Sequence, residues 1–78
     1  MPTVARVGPY RFFFFSNEGH QPPHVHVEAA DKYAKFWLEP VALAASVDFH
    51  AAELSKVRKL VIDHSERFKE RWDEHFGR

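Results

Sequence analysis

The chain contains no cysteine, so disulfide bonds, thiolate metal sites and cysteine nucleophiles are all excluded. Its three glycines are too few for a glycine-rich phosphate-binding loop. The longest apolar runs, residues 12–15 and 41–45, are far shorter than the roughly 20 residues needed to span a bilayer. The N-terminus also lacks the pattern of a signal peptide. We therefore expect a cytoplasmic protein with no membrane partner.

Neither sign of charge dominates, since 11 Lys and Arg side chains balance 11 Asp and Glu side chains. A nucleic-acid partner is therefore not favoured, because strong binding to a phosphate backbone needs an excess of cations. The chain has 78 residues, of which 45% are hydrophobic, so we expect one small folded domain spanning residues 1–78. A domain of this size depends on its core, on self-association or on a metal held by histidine and carboxylate.

Strand patterns occupy residues 3–47, and a helical pattern follows. Residues 24–29 alternate apolar and polar side chains, which is typical of a β-strand with one buried face. Four other β-prone runs are separated by turn residues: 4–7, 10–15, 33–38 and 41–47. From about residue 51 to residue 76, apolar side chains recur every three or four positions. These patterns predict an α+β fold, in which an antiparallel sheet of four to five strands, a meander of hairpins, carries one long C-terminal helix on one face.

The start of the helix has a recognisable pattern. His50 fits the N-cap position, with Asp48 as the alternative, and Glu53 then stands where a carboxylate can reach back to the cap. Further along, the helix could kink at Ser65, but the unbroken apolar periodicity predicts a continuous helix.

A single helix covers only one face of such a sheet, so we expect aromatic side chains on the other face to be exposed. The predicted interaction surface consists of Tyr10, Phe12, Phe14, Tyr33 and Trp37. Exposed aromatic area on this scale usually marks a site of interaction, so we expect a homo-oligomer, most simply a homodimer, or a small protein partner. Which face the helix covers is open. Packing on Val25 and Val27 would turn His24 and His26 outward, whereas packing on the histidines would bury them.

The sharpest motif is the alternating segment from His24 to Glu28. On a strand, His24 and His26 share a face and lie about 6.5–7 Å apart. Two neutral imidazoles at that spacing can bind a transition-metal ion, the only cofactor that the sequence suggests. Glu18, His20 and His64 are the candidates for a third ligand, while Glu28 is expected to orient a histidine. The alternative without metal is a pair of half-exposed histidines that bond to neighbouring groups.

Catalysis by these histidines is a further alternative. His24 or His26 could transfer protons, while Arg11 or Lys35 neutralises the charge that develops on a phosphate. A domain this small offers little room for a concave site. We therefore expect no enzymatic activity. The alternative that these residues would permit is a small ribonuclease.

Three segments carry a resemblance to a known family: 10–18 (YRFFFFSNE), 22–28 (PPHVHVE) and 34–38 (AKFWL). Together with the helix start at 49–54 and the segment 64–72, they resemble a small bacterial domain-of-unknown-function family catalogued as number 4160. The resemblance implies a short cytoplasmic protein with no established activity, often encoded beside another small domain. It therefore implies an interaction domain of a two-gene module of the toxin–antitoxin kind. An RNA-cleaving toxin and a metal-binding protein that uses His24 and His26 are the alternatives.

Overall fold

Short turns and one longer loop, residues 14–23, divide the first part of the chain into five strands, and two helices follow in the part that the structure describes, residues 3–77. The structure is a computed structural model. Its elements are β1 (Thr3–Val7), β2 (Tyr10–Phe13), β3 (His24–Ala29), β4 (Lys32–Leu38), β5 (Val41–Val47), α1 (Ala51–Asp63) and α2 (Ser65–Phe76). The strands form one sheet in the order β1-β2-β3-β4-β5, and each pairs with its neighbour in antiparallel fashion. The predicted α+β fold with a meander sheet is confirmed.

The prediction of one long helix is wrong, because α1 and α2 meet at His64. Its backbone leaves helical geometry at φ −107° and ψ 9°, and its Nδ1 donates to the Leu60 carbonyl oxygen at 2.8 Å. The backbone N–H of His64 donates to the same Leu60 carbonyl oxygen at 3.0 Å, so this oxygen accepts two hydrogen bonds where α1 ends. The apolar periodicity did not reveal the break between α1 and α2, because one buried stripe runs across it, formed by Val57, Val61, Phe68 and Trp72. Within residues 3–77, no helix is long and apolar enough to cross a membrane.

The start of α1 is confirmed, but Glu53 does not cap it. His50 is the N-cap and makes no side-chain hydrogen bond to the helix. The Glu53 carboxylate instead accepts hydrogen bonds from the Tyr10 hydroxyl and from Lys32 Nζ, each at 2.8 Å. Glu53 therefore ties the helix to the sheet.

The helices pack on the sheet face that carries Val25 and Val27. Phe12 pairs with Val27 in the adjacent strand and therefore shares this face. The Phe12 ring lies 5.2 Å from the Phe68 ring, and the Phe14 ring lies 5.3 Å from the Trp72 ring, centroid to centroid.

This packing corrects the predicted interaction surface. Tyr10, Phe12 and Phe14 are core residues, with exposed fractions of 3%, 0% and 0%. The expectation that they lie on an exposed face is therefore wrong. Tyr33 and Trp37 project from the other face and are half-buried.

Candidate functional site

His24 and His26 lie on the opposite face of β3 from Val25 and Val27, yet both are buried, with exposed fractions of 0% and 2%. The expectation of half-exposed histidines is therefore wrong. The His26 ring packs against Phe13 and Phe15, at centroid distances of 5.4 and 4.4 Å. The His24 ring packs against Trp37 at 5.6 Å and against Trp72 of α2 at 4.8 Å.

The loop between β2 and β3 brings a carboxylate to these rings. The loop turns where the Gln21 N–H donates to the Glu18 carbonyl at 3.1 Å, and its end is fixed to β4 by a bond from the Leu38 N–H to the Pro23 carbonyl at 3.0 Å. At Gly19 a side chain would collide with α2, since a Cβ there would lie 2.5 Å from Cδ1 of Phe76. The loop can therefore follow this path only with glycine at position 19 or with a displaced Phe76.

Glu18 is the point on which the two histidines converge. His24 Nε2 and His26 Nε2 each lie 2.7 Å from the same atom, Glu18 Oε1. The three potential ligand atoms are all within 4.8 Å of one another, and the Glu18 side chain is 21% exposed. Of the three candidates for a third ligand, the structure places Glu18 beside the pair. It does not place His20 or His64 there.

The other nitrogen of each imidazole is also hydrogen-bonded. His24 Nδ1 lies 2.9 Å from the Pro22 carbonyl oxygen, which can only accept, so this nitrogen carries a proton. His26 Nδ1 lies 2.7 Å from the Tyr33 hydroxyl, which can donate or accept. Both rings are thus fixed with Nε2 directed at Glu18.

The local electrostatics lower both the pKa of Glu18 and the pKa of His26. Burial raises the pKa of Glu18, but the hydrogen bonds and charges of His24 and His26 outweigh it, so this pKa lies below its usual value. Burial lowers the pKa of His26, and the Glu18 carboxylate offsets only part of this effect. Burial and the Glu18 charge raise the pKa of Tyr33, so its hydroxyl keeps its proton. Because an ionised carboxylate can only accept, each Nε2 at 2.7 Å from Glu18 Oε1 carries a proton, which a metal ion would have to displace.

The two cations proposed for catalysis bond to other groups. Arg11 Nη1 donates to Glu28 Oε1 at 2.7 Å, and its guanidinium lies 4.5 Å from the centre of the Phe13 ring. Lys35 Nζ donates to Gln21 Oε1 at 3.0 Å and lies 4.5 Å from the centre of the Trp37 ring. The expectation that Glu28 orients a histidine is wrong, because Glu28 pairs with Arg11.

Sequence reasoning missed the role of Tyr33, which was assigned only to an interaction surface. The strand register contains the signal: Tyr33 pairs with Glu28, and His26 pairs with Lys35, two residues along β4. Tyr33 is therefore a diagonal neighbour of His26 on the same face, within reach of a long side chain. The Pro22 carbonyl could not be found in this way, because its position depends on the path of the loop.

Comparison with known proteins identifies the family. A search of curated proteins and a search of solved structures found no significant match. A family model described as "Domain of unknown function (DUF4160)" matches residues 10–73, a range that includes Glu18, His24, His26 and Tyr33. The chain therefore belongs to the domain-of-unknown-function family DUF4160.

Proposed function

We propose that this protein binds a divalent transition-metal ion through Glu18, His24 and His26. The observation that carries the proposal is the convergence of both Nε2 atoms on one carboxylate oxygen, at 2.7 Å each. Two imidazoles and one carboxylate form a donor set that suits zinc, and imidazole also suits copper, iron and nickel.

The hydrogen bonds made by the other ring nitrogen, Nδ1, of each imidazole support this proposal. Histidines that bind metal usually donate their other ring N–H to a carbonyl, carboxylate or water, and this bond fixes the ring. His24 has such a bond to the Pro22 carbonyl. His26 has a hydroxyl partner in Tyr33, which accepts equally well when Nδ1 carries the proton.

In the metal-free protein, protons on the imidazoles occupy the position between the histidines and Glu18 that a metal ion would take. Because the Nδ1 proton of His24 is already used, a hydrogen bond from His24 Nε2 to Glu18 requires a doubly protonated, cationic ring. Such a ring would be a fully buried cation, and Glu18 is its ion-pair partner. A metal ion supplies positive charge at the same position while the imidazole stays neutral. Metal and proton therefore compete for one site.

Three protein ligands leave a coordination position open. Structural zinc sites usually have four protein ligands, whereas sites that bind water or substrate have three. The Glu18 side chain is partly exposed, whereas both histidines are buried, so solvent reaches the site from the side of the loop. We therefore propose that the open position faces solvent beside Glu18.

Metal binding can be measured by equilibrium dialysis of tag-free protein against Zn²⁺, followed by elemental analysis. We expect about one zinc ion per chain, because the three ligands form one site. His26→Gln should lose this zinc. The matched control His20→Gln changes an exposed histidine of the same loop and should keep it. Less than a tenth of an equivalent on the wild-type protein would overturn the proposal, and so would an equal loss in both variants.

The role in a two-gene module, with a small protein partner encoded nearby, stays a prediction. Half-buried Tyr33 and Trp37 remain from the predicted interaction surface. Co-purification with the product of the neighbouring gene tests this role. A partner that binds wild-type protein but not Trp37→Ala would support it, and no binding would count against it.

A further inference from the structure

A lysine side chain lies beside the proposed metal ligands. Lys35 stands directly opposite His26 in the register of β3 and β4, so the two side chains are neighbours on one face of the sheet. Lys35 Nζ donates to Gln21 Oε1 at 3.0 Å, and the Gln21 N–H donates to the Glu18 carbonyl oxygen. The ammonium group therefore reaches from β4 to the loop that carries the Glu18 carboxylate.

The charge of this lysine is not balanced by a carboxylate. Among residues 3–77, Lys35 takes part in none of the ion pairs, and its hydrogen-bond partner Gln21 is neutral. Arg11, on the same face of the sheet, is paired with Glu28 at 2.7 Å. Lys35 therefore adds a net positive charge beside the site, whereas Arg11 does not.

Two contacts hold the ammonium group in place. Its Nζ lies 4.5 Å from the centre of the Trp37 ring, and the Trp37 ring in turn packs against the His24 ring. The Lys35 side chain is half-buried, unlike most lysines of a protein surface. Because the side chain is already positioned, it loses little conformational freedom when it binds a ligand.

We propose that the open position of the metal site binds the phosphate group of a phosphate monoester, and that Lys35 donates a hydrogen bond to one of its oxygens. This inference rests on the metal site proposed above. A zinc ion with an open position binds phosphoryl oxygens as a Lewis acid, and lysine is a common phosphate-binding residue. The organic part of the ester lies toward solvent, on the partly exposed side of Glu18.

The formal charges of the site match those of a dianion. A zinc ion brings two positive charges, the Glu18 carboxylate removes one, Lys35 adds one, and metal-bound imidazoles are neutral, which gives a net charge of about +2. A phosphate monoester carries a charge of about −1.5 to −2 at pH 7. A carboxylate ligand such as acetate would balance only half of the charge of the site.

Calorimetric titration of the zinc-loaded protein with phenyl phosphate at about pH 7.5 tests this inference, because the ester is then a dianion. We expect one phosphate per zinc ion and a dissociation constant of about 0.1–1 mM, since the ligand gains one bond to the metal and one charge-assisted hydrogen bond. Acetate should bind at least about tenfold more weakly, because it carries a single charge.

Lys35→Met removes the charge but keeps an unbranched side chain over Trp37. This variant should bind phenyl phosphate at least about tenfold more weakly and should keep its zinc, because no metal ligand is changed. Lys59→Met is the matched control. Lys59 is an exposed lysine of α1, which packs on the opposite face of the sheet, so its loss should leave phosphate binding unchanged.

Elemental analysis of each sample separates the two proposals. Zinc bound at one equivalent without phosphate binding would overturn this inference alone, whereas a protein that binds no zinc would overturn the proposed function and this inference with it. Equal phosphate affinity of Lys35→Met and the wild type, or equal weakening by Lys59→Met, would also overturn the inference.

Two further titrations of the wild-type protein keep the inference testable should Lys35→Met fail to fold. Acetate that binds as tightly as phenyl phosphate would refute the preference for a dianion. Inorganic phosphate should bind in the same range as phenyl phosphate, since both present the same charged oxygens. Binding of inorganic phosphate without binding of phenyl phosphate would refute the assignment to a monoester.

Discussion

Zinc should raise the melting temperature of this protein by an amount that the chain length allows us to calculate. A ligand at 100 times its dissociation constant stabilises the folded state by about 2.7 kcal/mol. At about 2.1 cal/mol/K per residue, a chain of 78 residues unfolds with an entropy of about 160 cal/mol/K. The expected rise is therefore about 16 °C. This is an upper value, because histidines of the unfolded chain also bind metal.

Glu18→Gln provides the decisive comparison. Glu18 lies in a loop and is partly exposed, so the variant should fold, but it lacks the anionic ligand. A roughly 100-fold loss of affinity would leave about 0.4 kcal/mol, or a rise of about 2–3 °C, at the same zinc concentration. The assay is a thermal scan followed by circular dichroism, with Glu28→Gln as the matched control because Glu28 pairs with Arg11. The reasoning is refuted if zinc raises the melting temperature of Glu18→Gln as much as that of the wild type.

Four further predictions test individual contacts. Tyr33→Phe removes the hydroxyl that is hydrogen-bonded to His26 Nδ1. This change should weaken zinc binding about 10–100-fold, as measured by calorimetric titration. Unchanged affinity would show that the hydroxyl does not position the ring. His50→Ser supplies a hydroxyl at an N-cap that now has no side-chain bond, so urea titration should show a gain of about 1 kcal/mol. Ala30→Gly relieves a φ of 55° and should add about 0.5–1 kcal/mol in the same assay, and a loss there would contradict the strain argument. Hydrogen bonds from Lys32 and Tyr10 lower the pKa of Glu53 below 4.5. The ionised Glu53 therefore stabilises the fold fully above pH 4.5, and this stabilisation is lost as the pH falls through the lowered pKa. Glu53→Gln should therefore make the melting temperature depend less on pH between about pH 5 and pH 3.

The sheet could be predicted from the sequence because its signals are local. Alternation along 24–29 and turn residues on either side define a strand, and consecutive hairpins leave few topologies for a short chain. The break at His64 could not be predicted, because the apolar residues keep the same spacing within the helices and across the break. The departure from helical dihedral angles is confined to the single residue His64, which the spacing of apolar residues does not report.

The choice of covered face depended on packing between distant elements. Phe12 and Phe14 could lie on the sheet face that carries Val27 and is covered by the helices, or on the opposite, exposed face. The alternation of side chains along the strand permits both. The structure buries them against Phe68 and Trp72, which no short-range pattern connects to β2. The aromatic content of 15% serves mainly to fill a small core.

The candidate site combines a rigid part with a part that depends on the rest of the fold. The spacing of His24 and His26 is fixed by β3, which is why the sequence could predict the pair. Glu18 reaches them only because the loop ends on β4 and passes α2 at Gly19. A metal bound by all three residues therefore joins β3 to a loop that packs against α2. On the proposed metal site, a substitution at Phe76 that displaces the loop should therefore also weaken the binding of metal.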